Sequence, residues 1–240
     1  MTLFLTSSPF IDGAPRAIID ESNGFLRLLK ESLPEYPRCL YICSDPLRRD
    51  LTATYGADVF IAFAEAGIPF SSYHVLDAYN AESARELISS SDLIVLAGGH
   101  VPTQNDFFRG LGLAELLETY DGVVMGISAG TMNCAQEVYA QPEAPGESDP
   151  GFQRFRPGLG LTEVKVCPHY QKVKDDTLDG LRLYRDITFA DSMGHTFYVL
   201  PDGSFILIRD GKETLYGEAF RIRNGIMEML TLNGECMPLN

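Results

Sequence analysis

Ser128 lies in Asp121-Gly122-Val123-Val124-Met125-Gly126-Ile127-Ser128-Ala129-Gly130, an apolar run that ends in a Gly-Ile-Ser-Ala-Gly turn. Thr131-Met132-Asn133-Cys134-Ala135 follows and suits the start of a helix. A serine at such a strand-to-helix corner has the setting of a nucleophile elbow. The glycines let backbone pass closely on either side, and the hydroxyl projects outward. The amide of Ala129, at the helix start, can point at a developing oxyanion. The chemistry this suits is acyl transfer. A chance G-x-S-x-G occurs in roughly one chain in ten of this length, so the bare pattern is weak. The apolar strand before it and the small residues after it supply the context the motif requires.

A serine hydroxyl needs a base, normally a histidine held by a carboxylate. The chain has four histidines. His74 falls within a strand pattern and reads as structural. His100 follows Gly98-Gly99 at a strand end, next to where ligands collect in open α/β sheets. His195 starts a strand. His169, in Cys167-Pro168-His169-Tyr170, follows a strand end where a catalytic loop is expected, and it is the leading base. For the carboxylate, Asp202 lies in Leu200-Pro201-Asp202-Gly203, a sequence that also suits a plain tight turn. Asp186 and Asp191 are alternatives. An α/β-hydrolase would run Ser, Asp, His, which here would need Asp186 or Asp191 with His195. That reading lacks an HG-type oxyanion segment in an early loop and ranks second.

The elements that must position these residues alternate through the first half. Strands are expected at Thr2–Thr6, Arg38–Cys43, Phe70–Leu76 and Asp92–Ala97, with the elbow strand fifth. Helices are expected at Ser22–Leu33, Leu51–Ala66, Ala81–Ser89 and Asn105–Thr119. This alternation predicts an α/β fold, a mostly parallel sheet with helices on both faces. From Gln141 to Gly160, prolines and glycines punctuate a long irregular segment, read as a lid or active-site loop. A strand over Leu161–Val166, a helix over Asp175–Ile187 and C-terminal β-hairpins between His195 and Ile222 complete the pattern. No repeat or linker interrupts it, so residues 1–240 read as one domain.

Composition sets further bounds. A formal net charge of −14 argues against nucleic acid, which needs a basic face. No apolar run reaches 18 residues, so no membrane span is expected. The N-terminus lacks the basic region of a signal peptide. Five cysteines (Cys39, Cys43, Cys134, Cys167 and Cys236) lack metal-type spacing; Cys39 and Cys43, in an apolar strand-like run, read as packed thiols, and the set points to a reducing cytoplasm.

Four segments together resemble peptidase family S51, the dipeptidase E (alpha-aspartyl dipeptidase) group, which includes the cyanophycinases. They are Leu96-Ala97-Gly98-Gly99, Gly126-Ile127-Ser128-Ala129-Gly130, Pro168-His169-Tyr170 and Leu200-Pro201-Asp202-Gly203, in the family's order and with similar spacing. The resemblance implies a class I glutamine amidotransferase-like (flavodoxin-like) fold with serine in place of the cysteine nucleophile. It implies a triad of Ser128, His169 and Asp202, with Gly99 and Ala129 as oxyanion donors and no metal or organic cofactor. Two positions depart from the family. His100 stands where an asparagine usually follows the Gly-Gly turn, and it is a candidate substrate contact. Arg182, in Gly180-Leu181-Arg182-Leu183-Tyr184-Arg185, is the nearest counterpart of the arginine that holds an acidic side chain in dipeptidase E members. The implied activity is serine peptidase action on small peptides with an N-terminal acidic residue. The alternatives are a catalytically silent binding module on the same scaffold and a cyanophycinase-like hydrolase of acidic isopeptides. The expected partner is a small peptide, with a homodimer left open and neither nucleic acid nor membrane involved.

Overall fold

The computed structural model describes residues 1–239. Its first strand, β1 (Thr2–Thr6), is buried on both faces. Leu3 and Leu5 enter one apolar layer and Phe4 the other, because successive side chains of a strand point to opposite faces. The same division recurs in β2 (Arg38–Ile42), where Leu40 and Ile42 oppose Cys39 and Tyr41. A strand apolar on both faces needs cover on both, and helices supply it. α1 (Phe25–Ser32) turns Phe25, Leu26, Leu28 and Leu29 inward. α2 (Arg49–Glu65) packs through Val59, Ala62 and Phe63, and Gly67, at φ 79°, turns the chain out beyond its end.

β3 (Ser72–Leu76), α3 (Ala84–Ser89), β4 (Leu93–Leu96), α4 (Val101–Leu111), α5 (Leu113–Leu117), β5 (Val123–Ile127) and α6 (Ala129–Asn133) continue the alternation. The single helix expected over Asn105–Thr119 is two. It starts at Val101 and breaks at Gly112, which adopts φ 63°. Four parallel pairings join β1, β5, β4, β2 and β3 in that spatial order. Three antiparallel strands extend the other edge: β12 (Phe205–Arg209) beside β1, then β13 (Lys212–Tyr216), then β16 (Cys236–Leu239). The eight-stranded, mostly parallel sheet flanked by helices is the architecture expected.

The second half departs from expectation in four places. Of the hairpins expected between His195 and Ile222, only Phe205–Arg209 with Lys212–Tyr216 forms, because Thr196–Val199 and Ala219–Arg223 belong to a second sheet. The irregular segment supplies a short strand, β7 (Phe155–Pro157), which pairs antiparallel with β6 (Glu137–Tyr139) just before the segment. Of the strand expected over Leu161–Val166, only β8 (Val166–Cys167) forms. It pairs in parallel with β11 (Thr196–Val199) in a second sheet, completed by β14 (Ala219–Arg223) and β15 (Ile226–Thr231). The helix expected over Asp175–Ile187 is absent. After the short α7 (Tyr170–Val173), β9 (Thr177–Leu178) and β10 (Leu181–Arg182) make a hairpin, and a wide helical turn covers Leu183–Thr188 before α8 (Phe189–Asp191). The cause is local. Asp179 and Gly180 both take positive φ, 51° and 82°, which is what an Asp-Gly pair does at a two-residue hairpin.

No helix among the described residues is long and apolar enough to cross a membrane. The five cysteines are free thiols; Cys39 and Cys43 are buried as expected, Cys134 and Cys167 are buried too, and Cys236 is exposed.

Candidate active site

β5 ends against α6 with almost no space between them. A Cβ on Gly126 would lie 2.5 Å from the Cα of Thr131, and one on Gly130 would collide with the carbonyl of Leu96 in β4. Only glycine permits this approach, so the two glycines of Gly-Ile-Ser-Ala-Gly are requirements of the corner. Ser128 sits between them at φ 51°, ψ −110°, a conformation that costs a non-glycine residue on the order of 1–3 kcal/mol. The surroundings hold it there. Its N–H reaches the carbonyls of Thr6 and Ser7 at 3.2 and 3.0 Å, its carbonyl accepts from Met132 N–H, and Gly130 N–H donates to the Ala97 carbonyl.

His169 follows β8 and is also left-handed, at φ 58° and ψ 28°. This turns its ring back over the elbow. Nε2 lies 2.8 Å from Ser128 Oγ, and Nδ1 lies 2.6 Å from Asp202 Oδ1. An ionised carboxylate can only accept, so Nδ1–H donates to Asp202 and Nε2 is free to accept from the serine hydroxyl. The three residues, 41 and 33 positions apart in the chain, are thus hydrogen-bonded in series.

The Asp202 side chain is only 4% exposed. Burial alone raises its pKa. The hydrogen bond and charge of His169, with bonds from Lys172 and Ser7, outweigh burial and hold the carboxyl well below the usual range. Ser7 Oγ donates to Oδ1 at 2.8 Å and accepts from His169 N–H at 2.7 Å, so one hydroxyl ties acid to base. Lys172 Nζ lies 2.7 Å from Oδ2 and 2.8 Å from Asp12 Oδ1. Gln171 Oε1 accepts from the Asp202 amide. None of these residues was anticipated from sequence. The available signals were a polar Thr-Ser-Ser at the C-terminal end of the first strand and the proximity of Gln171 and Lys172 to His169 along the chain.

Because the folded pKa of Asp202 is depressed, its contribution to stability is complete above its unfolded value, about pH 4. It is lost as the pH falls through the folded value. Asp202→Asn is therefore expected to lower stability by on the order of 2 kcal/mol at pH 7. The gap to the wild type should narrow below about pH 4, which denaturant titrations at pH 7, 4 and 3 would measure.

The other anticipated residues are placed as follows. Gly99 stands beside Ser128, lining the same two pockets; a Cβ there would lie 2.5 Å from Ser44 Cβ. Ala129 is the first residue of α6 and is buried. His100 precedes α4 and borders the larger of those pockets, with its ring held by Thr103 Oγ1 and Glu147 Oε1, each at 2.7 Å. Glu147 belongs to the irregular 141–160 segment, whose Gln141, Pro142 and Glu143 line the smaller pocket. That segment therefore borders the candidate site, fastened also by Ser148 to Asp179 and by Arg154 to Asp191. Arg182 is not brought in. It lies in β10 rather than on a helix, is exposed, and spends its guanidinium on Asp186 through two bonds of 2.8 and 2.6 Å. The alternative base and acids are employed elsewhere. His195 stacks on Phe155, while Asp191 accepts from Arg154 and Tyr139. His74 lies exposed on edge strand β3.

Among the described residues, no group of three or more His, Cys, Asp or Glu side chains could hold a metal ion. The arrangement itself can make a serine oxygen nucleophilic, provided that a carbonyl is presented to it.

No curated protein matches the chain in sequence. Among solved structures, it is similar to a peptidase E candidate from Listeria monocytogenes EGD-e. The TM-score is 0.62 at 16% identity, over 96% of this chain and 98% of that one. At that identity the likeness establishes the fold, which is the flavodoxin-like, class I glutamine amidotransferase type. The sequence model of peptidase family S51 matches residues 17–216, a stretch that contains the elbow, the histidine corner and the Leu-Pro-Asp-Gly turn. With 200 of its 240 residues matched, the chain belongs to peptidase family S51 and is a serine peptidase.

Proposed function

We propose that the chain hydrolyses small peptides through an acyl-enzyme on Ser128. His169 takes the proton of the Ser128 hydroxyl as its oxygen attacks the scissile carbonyl, and then gives that proton to the departing amine. Asp202 holds the ring in the required tautomer and stabilises the imidazolium. The amides of Gly99 and Ala129 hold the oxyanion, each contributing about 3–4 kcal/mol to the transition state in comparable sites. Water, activated by the same histidine, then releases the acid and restores the serine. Neither step requires a metal or organic cofactor. The observation that carries this reading is the unbroken series Ser128 Oγ, His169 Nε2, His169 Nδ1, Asp202 Oδ1, at 2.8 and 2.6 Å.

An alkyl fluorophosphonate reports this directly, because it phosphonylates a serine only where a base activates it. The wild type is expected to be labelled at neutral pH on the peptide containing Ser128, and Ser128→Ala not at all. A folded wild type that stays unlabelled, or a label retained in Ser128→Ala, would overturn the proposal.

A further inference from the structure

Two pockets meet at Ser128, His169 and Gly99. The smaller, about 150 Å³, lies towards Gln141–Glu143 and the β9 hairpin. The larger, about 580 Å³, runs the other way, between the N-terminal loop, the end of β2 and α2. Its apolar wall is Phe10, Tyr41, Leu51, Tyr55, Val59 and Ile127. Tyr41, Val59 and Ile127 are core residues, so this wall stands on the sheet and a long helix and is formed before any ligand arrives. Its volume falls within the roughly 300–1,000 Å³ usual for small-molecule sites.

A peptidase must seat the residues on both sides of the bond it cuts, and these two pockets flank the serine. Resting on the acyl-transfer reading above, we infer that the larger cavity seats a large apolar side chain next to the scissile bond. The enzyme then selects leucine- or phenylalanine-like residues over acidic ones. Charge points the same way as shape. Neither pocket is lined by Lys or Arg; Asp45 and Asp58 border the larger, and Glu143 and Asp176 the smaller. A substrate carboxylate placed in either would lose water, gain no Lys or Arg counter-charge and face like charge. Arg182, the expected receptor for an acidic side chain, is paired with Asp186 and lines neither pocket.

The test uses dipeptides Xaa-Ala and Ala-Xaa, with Xaa being Ala, Leu, Phe or Asp. Two quantities are read: kcat/KM by product separation, and the concentration of each peptide that halves the rate of fluorophosphonate labelling at Ser128. In one of the two series, Leu or Phe is expected to exceed Ala by tenfold or more, as burial of a large side chain gives, and Asp to fall below both. In Leu51→Trp the added indole occupies the cavity, and that ratio should drop below threefold. Tyr55→Trp serves the same purpose if the first variant does not fold by circular dichroism. A wild-type ratio under tenfold in both series, or Asp preferred over Leu and Phe, overturns the inference. So does a ratio of threefold or more surviving in a folded filled variant. Failure of the parent reading looks different: Ser128 takes no label and no peptide is cut. An enzyme that is labelled and active yet indifferent to side-chain size sinks this inference alone.

Discussion

Alanine at Ser128 is expected to lower kcat on a cleaved peptide by roughly 10⁶-fold, and alanine at His169 by about as much, because nucleophile and base act as one unit. The double variant should lose no more than either single one. Additive losses would mean that the two side chains act independently, contrary to their 2.8 Å contact. Asp202→Asn is expected to cost less, about 10⁴-fold. Its amide keeps the shape but can donate to Nδ1, favouring the tautomer in which Nε2 carries the proton and can no longer accept one from serine. Single-turnover kinetics at high enzyme concentration would resolve these losses against the uncatalysed rate. The folded state should survive in Ser128→Ala, whose missing hydroxyl leaves the Ser128 backbone bonds to Thr6, Ser7 and Met132 in place.

The parts of this site that could be read from the sequence are those whose chemistry is written into local residue order. Gly126, Ser128 and Gly130 are spaced as a strand-turn-helix corner demands, and the demand is backbone contact, which no other residue type meets. Pro168-His169 and Pro201-Asp202-Gly203 each close a strand, and parallel strands in one sheet deliver their ends to one side. Ser7 and Lys172 were hidden for the opposite reason. Ser7 meets Asp202 across 195 positions, and nothing in Thr-Ser-Ser-Pro distinguishes a serine that ties an acid to a base from one that ends a strand. The apolar cavity is equally invisible along the chain, since its walls come from the loop before α1, from β2, from α2 and from β5.

The fold divides along the same line. Strands β1, β2, β4 and β5 are apolar on both faces and bounded by Gly, Pro or Asp, so pattern and packing agree. The helix expected over Asp175–Ile187 does not form, because the Asp179-Gly180 pair falls inside it. Two adjacent residues with positive φ end any helix, and this pair also places Asp179 where Ser148 and Gly146 of the 141–160 segment bind it. The binding role expected of Arg182 rests on its resemblance to the arginine of dipeptidase E members. In a hairpin its nearest partner is Asp186, and the guanidinium is spent there.

The same backbone contact that made the elbow legible makes it fragile. Gly130→Ala places a methyl group 2.7 Å from the carbonyl carbon and 2.8 Å from Cβ of Leu96 in β4, and neither a buried interior strand of the sheet nor a short buried helix can yield cheaply. Destabilisation of about 3 kcal/mol or more is expected. For a domain of this size that corresponds to a fall in Tm of roughly 6–12 °C. Gly110→Ala is the matched control. Gly110 lies within α4, adopts no positive φ and has nothing within 4 Å of an added Cβ, so alanine there should raise stability by about 0.5–1 kcal/mol. The two variants add the same methyl group, so their opposite signs would isolate close packing at the elbow from any general effect of losing a glycine. Differential scanning calorimetry of the pair decides it. A Gly130→Ala protein that melts with the wild type and still takes the fluorophosphonate would mean that α6 can retreat from β4 without moving Ser128. The spacing of the two glycines would then say nothing about how the nucleophile is held.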